Sequence, residues 1–159
     1  MQKLTPFLWF DDQAEQAANF YTSIFSDSNV RNITRYPEGG PRPAGSVMTV
    51  EFQLEGQDYI ALNGGPIFKL NEAFSISVNC STQEEIDYFW QELSADGGET
   101  GPCGWLKDKF GLSWQVNPRV LAEMLQDKDA AKAERVMKAM MEMEKIDISD
   151  LKKAYEGSS

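Results

Sequence analysis

Hydrophobic positions in this chain follow two periods that alternate from segment to segment. In Ser46–Leu54, Met48, Val50, Phe52 and Leu54 fall on one face and Thr49, Glu51 and Gln53 on the other. A period of two marks a half-buried strand. Glu55-Gly56 follows as a hairpin-type turn, and Gln57–Asn63 returns as the next strand. Leu4–Phe10 reads as a short apolar strand and Asn29–Tyr36 as a weaker one. Between them Ala14, Ala17, Ala18, Tyr21, Ile24 and Phe25 recur at helical spacing, so a helix lays one face on the sheet. Asp12, with Glu15 three residues on, is its expected cap. Pro37 to Gly45 holds three prolines and three glycines in nine residues and reads as an irregular loop.

After Gly64-Gly65-Pro66 the order restarts. Phe74–Cys80 reads as a strand, and Ser81 opens a capped helix with Ile86, Phe89, Trp90 and Leu93 as its buried stripe. A shift of 69 residues sets Asp12 on Ser81, Glu15 on Glu84, and Phe20-Tyr21 on Phe89-Trp90. Gly101 to Pro118 then reads as strand, turn, strand. The turn spans Lys107 to Gly111; beyond it Leu112, Trp114 and Val116 oppose Ser113 and Gln115. The pattern predicts an α+β fold of two tandem β-α-β-β-β modules, about 4–63 and 73–117, in one domain over 1–159. Two such modules can pair their sheets into one curved sheet with a concave side able to hold a ligand. A helical tail, 118–159, follows. Asn117 caps its first helix with Pro118 at the first helical position, Asp129–Lys145 forms the second, and Asp147–Tyr155 the third, closed by Gly157.

Composition removes several function classes. The net charge of −10 and pI near 4.5 argue against nucleic acid and anionic membrane surfaces as partners. No apolar run approaches a membrane span, and no signal peptide is expected at the N-terminus. Two cysteines, Cys80 and Cys103, give no framework and no metal-type pair; they read as reduced thiols of a cytoplasmic protein. The chain has no histidine. That removes the Ser-His and Cys-His nucleophile arrangements and the commonest metal ligand and general base.

Beyond this, Pro6 to Asp11 with Ala14-Glu15, Gly45 to Met48, Gly64-Gly65-Pro66, Gly101 to Gln115 and Lys145 to Ile148 carry a resemblance over nearly the whole chain. The sequence resembles the vicinal oxygen chelate superfamily, which includes glyoxalase I, extradiol dioxygenases, fosfomycin-modifying enzymes and bleomycin-binding proteins. More narrowly it looks like the PhnB-like, demethylubiquinone-methyltransferase-like family. The resemblance implies the doubled fold, a homodimer and a small-molecule ligand in the concave pocket. In the superfamily's metal enzymes four His, Glu or Gln ligands line that pocket. Carried over by position, they fall here on Pro6 or Thr5, Asn63, Ser75 and Gln115, which offer no charge between them. The implied reading is a protein with no metal or other cofactor, whose Asn63, Ser75 and Gln115 form hydrogen bonds in a cavity or merely pair with each other or water. The alternative is a metal-dependent lyase, isomerase or dioxygenase using other ligands. A third reading uses Cys103 or Asn63 in metal-free chemistry.

Other residues carry two readings each. Trp9, Trp105 and Trp114 line an apolar pocket or belong to the core. Arg35 meets an anionic ligand or forms a surface pair. Cys103, in Gly-Pro-Cys-Gly, is a reactive thiol at a pocket mouth or a small packed residue. The pocket-lining candidates are thus Trp9, Arg35, Asn63, Ser75, Cys103, Trp105 and Gln115, with no catalytic residue assigned. The methyltransferase label finds no Gly-rich strand–helix turn of the kind that holds a nucleotide-type methyl donor.

Overall fold

The alternation read in Val47–Leu54 places Val50, Phe52 and Leu54 in the interior of a four-stranded mixed sheet. The computed structural model describes residues 2–157 and comprises two compact units, Met1–Leu70 and Asn71–Ser159. The first unit holds β1 (Phe7–Phe10), α1 (Ala14–Ile24), β2 (Asn29–Arg35), β3 (Val47–Leu54) and β4 (Gln57–Asn63). Its strand order is β1-β4-β3-β2, with β1 parallel to β4 and the other neighbours antiparallel. Leu8, Phe10, Val50, Phe52, Tyr59 and Ala61 face α1, whose Ala14, Ala17, Ala18, Tyr21 and Ile24 are buried. The alanines let the helix approach closely, and each large side chain so buried contributes roughly 1.5–3 kcal/mol.

Several boundaries differ from the sequence reading, and two of the differences have a clear physical reason. β1 begins at Phe7 and leaves Leu4 84% exposed. Pro6 has no N–H for the ladder and takes part only through its carbonyl, which accepts from Ile60 N–H at 3.0 Å. The expected cap Asp12 is exposed; the residue before α1 is Gln13, which makes no side-chain cap bond. The first helical N–H, on Ala14, donates instead to Asn63 Oδ1 at 2.8 Å. A residue 49 positions away caps this helix, because the end of β4 lies beside the start of α1.

The second unit repeats the plan with β5 (Ser75–Cys80), α2 (Gln83–Leu93), β6 (Glu99–Thr100), β7 (Trp105–Lys107) and β8 (Ser113–Pro118), in the order β5-β8-β7-β6. β5 runs parallel to β8, as β1 does to β4. Val78, Cys80, Leu106, Trp114 and Val116 are buried with Ile86 and Leu93 of α2. Thr82, one residue later than expected, caps α2: its hydroxyl accepts from Glu85 N–H at 3.2 Å, and the Glu85 carboxylate accepts from Ser81 N–H at 3.1 Å. The strand-to-helix turn is one residue shorter than in the first unit. Helix residues therefore match at the shift that pairs Ala17 with Ile86, whereas strand residues match Leu8 with Val78 and Phe10 with Cys80. On this register Thr5, rather than Pro6, is the counterpart of Ser75.

β8 also continues through Asn117 and Pro118, which pair with Asn79 and Cys80. Helix α3 (Arg119–Leu125) begins only after them. The expectation of Asn117 as a helix cap is therefore corrected: the strand ladder holds its backbone. α4 (Ala130–Met141) and α5 (Ile148–Glu156) follow, capped by Asp129 and Asp147. Leu121, Met124, Val136, Ile146 and Leu151 form their own core. Cys103 N–H and Gly104 N–H donate to the Met143 and Glu144 carbonyls, each at 2.8 Å. The helical tail is thereby stitched to the turn that precedes β7.

Candidate functional site

The turn between β7 and β8 shapes the ground on which the site stands. Asp108, read from sequence as part of a polar turn, is only 3% exposed. Its Oδ1 accepts from Phe110 N–H at 2.8 Å and Leu112 N–H at 3.1 Å, and its Oδ2 accepts from Trp114 Nε1–H at 2.9 Å. One carboxylate thus fixes the turn and the indole that anchors β8 in the core. Trp114, 1% exposed, is a core residue.

With Trp114 and Val116 turned toward α2, the other face of β8 carries Ser113, Gln115 and Asn117. Opposite them on β5 stand Ser75, Ser77 and Asn79, in three successive cross-strand pairs. All six are neutral hydroxyls or amides. Gln115 Nε2–H donates to Ser75 Oγ at 3.0 Å, and Trp105 is the register partner of Gln115 on β7. A cleft of about 500 Å³ opens here. Gln115, Asn117, Trp105 and Cys103 line its sheet side, and Leu121, Leu125 and Met140 of the tail line its helical side, with Arg119 exposed at the edge. Asn117 Oδ1 and Ser113 Oγ are buried polar atoms with no hydrogen-bond partner among protein atoms. Such atoms cost about 1–3 kcal/mol each unless water or a ligand satisfies them.

Four of the sequence candidates, Ser75, Cys103, Trp105 and Gln115, come together on or beside this face. The other three lie in the first unit in different settings. Asn63 is buried, its amide shared between Ala14 N–H and the Val47 carbonyl, and its own carbonyl accepts the Tyr36 hydroxyl. It faces α1 rather than the open side of its sheet. Trp9 donates to the Gly65 carbonyl at 2.9 Å and meets Phe68 edge-on at 5.0 Å between ring centres. A Cβ on Gly64 would lie 2.3 Å from its ring, which explains the glycine. Arg35 is exposed and donates to the Gly45 carbonyl at 3.0 Å, holding the Pro-rich loop.

Sequence reasoning missed Ser77, Asn79, Asn117 and the tail's apolar wall. The period-two pattern of Ser75-Ile76-Ser77-Val78-Asn79 was the available signal, since it puts two serines and an asparagine on one face. The tail's wall had none, because nothing in a helix's own periodicity says which sheet face it covers.

The superfamily's metal chemistry asks for charged or imidazole donors, and the donor set here does not fit. Phe7 pairs with Ile60 as Ser77 pairs with Gln115, so Ile60 holds in β4 the place that Gln115 holds in β8. Thr5, Ile60, Ser75 and Gln115 supply two hydroxyls, one amide and a hydrocarbon, too little to offset desolvation of a dication. Among the described residues, no three Cys, Asp or Glu side chains come together in a grouping that could hold a metal ion.

The two thiols sit in contrasting places. Cys103 lines the cleft at φ 60°. Cys80 is fully buried against α2; burial, and secondarily the Glu85 carboxylate, push its thiol up to about 11 from 9.0. The unfolded chain would ionise this thiol first, so Cys80 contributes stability below about pH 9 that is lost as pH rises toward about 11. Urea midpoints at pH 8 and pH 10.5 should therefore fall less in Cys80→Ala than in the native chain; equal falls contradict this. At the opposite end of β7, Lys107 pairs with Glu72, raising the ammonium and lowering the carboxyl from their ordinary values.

Comparison with known proteins places this geometry. A family profile described as 3-demethylubiquinone-9 3-methyltransferase matches residues 2–117, ending one residue before the end of β8 and ahead of the tail. A PhnB protein of Bacillus cereus, described as a candidate 3-demethylubiquinone-9 3-methyltransferase, is 38% identical, with a TM-score of 0.65 over 74% of this chain and 99% of its own. Protein PA1353 of Pseudomonas aeruginosa is similar in fold (TM-score 0.61, 19% identity, 74% and 98% covered). So is the fosfomycin resistance protein FosX of Listeria monocytogenes (TM-score 0.52, 15% identity, 77% and 97% covered). No curated protein matches the chain.

Proposed function

The chain belongs to the PhnB-like family described as 3-demethylubiquinone-9 3-methyltransferase, and we propose that it binds a small neutral molecule on the open face of its second sheet, without a metal ion. The observation that carries this reading is the neutral polar face of β5 and β8. Gln115 is held by Ser75 and Asn117 follows it on the same face of β8, both beside a cleft that also presents Trp105 and Cys103. Hydrogen-bonding amides next to an aromatic ring orient an uncharged ligand; they do not neutralise an ion.

The family's description names a methyl transfer. Neither turn after β1 (Asp11-Asp12-Gln13) nor after β5 (Ser81-Thr82) contains glycine. Neither sheet has the doubly wound order in which a Gly-rich turn holds a nucleotide-type donor. The binding reading therefore rests on the cleft and not on the family's description. A homodimer in the cytoplasm completes the proposal. The free thiols Cys80 and Cys103 support a reducing compartment. No helix among the described residues is long and apolar enough to cross a membrane.

Alkylation of Cys103 tests the reading. Its rate, followed by mass spectrometry of the labelled peptide, should fall when a small-molecule filtrate of cytoplasm is added. A rate unchanged by the filtrate, and equal to that of free cysteine, would contradict it.

A further inference from the structure

The apolar half of the cleft comes from a part of the chain that the family match leaves out. The match ends at residue 117, and Leu121, Leu125 and Met140, which face the sheet across the cleft, all lie beyond it. The tail is held there by the bonds from Cys103 and Gly104 to Met143 and Glu144. Arg135 bonds to the Ala154 and Tyr155 carbonyls, and Tyr155 donates its hydroxyl to Asp127. Opposite this wall stand the amides of Asn79, Asn117 and Gln115, with Trp105 beside them. Arg119, the charged side chain at this cleft, is exposed at its edge, where solvent screens it.

We propose that the helical tail makes the second sheet's open face a two-sided site selective for neutral planar ring compounds, with donor and acceptor groups on one edge and an apolar opposite edge. This rests on the reading of the cleft as a ligand site. The amides of Asn117 and Gln115 bond the polar edge, Trp105 stacks on the ring, and Leu125 and Met140 take the apolar edge. Ligand choice is then set by the tail, and the family's common sheet supplies hydrogen bonds that any member with these amides shares.

Three naphthalene probes test this on the full chain: 2-naphthamide, 2-naphthol and 2-naphthoate, followed by tryptophan quenching and by protection of Cys103 from alkylation. The amide and the naphthol should bind and protect Cys103, with naphthoate weaker by about tenfold. Asn117→Leu and, separately, Met140→Gln should each weaken 2-naphthamide by about tenfold, and Arg119→Ala should leave it unchanged. Far-ultraviolet circular dichroism and the urea midpoint verify that each variant is folded. If 2-naphthamide protects Cys103 but Met140→Gln and Leu125→Gln bind it as the native chain does, the tail's role is overturned while the cleft reading stands. Tighter binding of naphthoate, lost in Arg119→Ala, overturns the neutral class. If no probe binds while the cytoplasmic filtrate still protects Cys103, the ring class is overturned and the cleft reading again stands.

Discussion

Replacing Asp108 with Ala should destabilise the second unit by about 3–5 kcal/mol, a large share of the roughly 5–15 kcal/mol that holds an ordinary domain folded. The Asp108 carboxylate is buried and accepts from two turn N–H groups and the Trp114 indole. Its loss strands two buried donors and a half-buried one at once, and a stranded buried donor costs more than the bond it made. Asp108→Asn separates the parts. The amide oxygen still accepts from Phe110 and Leu112, but an NH2 group then faces the indole N–H, so the loss is about 2 kcal/mol. Trp114→Phe in the Asp108→Asn background should cost less than Trp114→Phe alone, since removing the indole N–H there also relieves the donor conflict. Urea unfolding followed by far-ultraviolet circular dichroism reads both. Full native stability in Asp108→Ala would mean that the turn is held by other contacts.

Gly104→Ala should cost about 3 kcal/mol and release the tail from the sheet. The position has φ 81°, which an L-residue adopts only with strain. A Cβ there would also lie 2.7 Å from Asn117 Oδ1, 2.9 Å from the Val116 carbonyl and 3.0 Å from an Ile146 side-chain carbon. The Val116 carbonyl belongs to the strand ladder and cannot move aside. Gly104 also links two layers, since its N–H reaches Glu144 and its carbonyl accepts from Val116 N–H. The variant should show faster hydrogen exchange over 118–157 than over β5 and α2. Uniform protection across the unit would contradict the linking role.

The strands and helices were legible because burial imposes its period on the sequence. β4 lies at Gln57–Asn63 as read, and β3 begins one residue later than its apolar alternation suggested. The doubled order was legible for the same reason, as Ala17 and Ile86 show. What escaped notice depends on contacts between distant residues. Asn63 ends a strand and reads as a cavity amide, yet it caps α1 from 49 residues away. Asp108 sits between two lysines in a predicted turn, yet the indole six residues on draws it inside. Asn117-Pro118 looks like a helix start, yet pairing with Asn79 and Cys80 keeps it in the sheet. In each case a tertiary partner overrides a local signal of ordinary strength. The site was half legible for a related reason: Gln115 stands out as a polar residue in an apolar strand, whereas the tail's wall depends on how the tail folds back.

On the proposed reading, the neutral pair Ser75 and Gln115 serves a ligand and not a metal. Metal analysis of protein purified without chelator, alongside Gln115→Ala, tests it most directly. Neither protein should hold a stoichiometric divalent ion, and the variant should retain an organic ligand less well. A stoichiometric zinc, manganese, iron or nickel in the native protein, lost in Gln115→Ala, would contradict it.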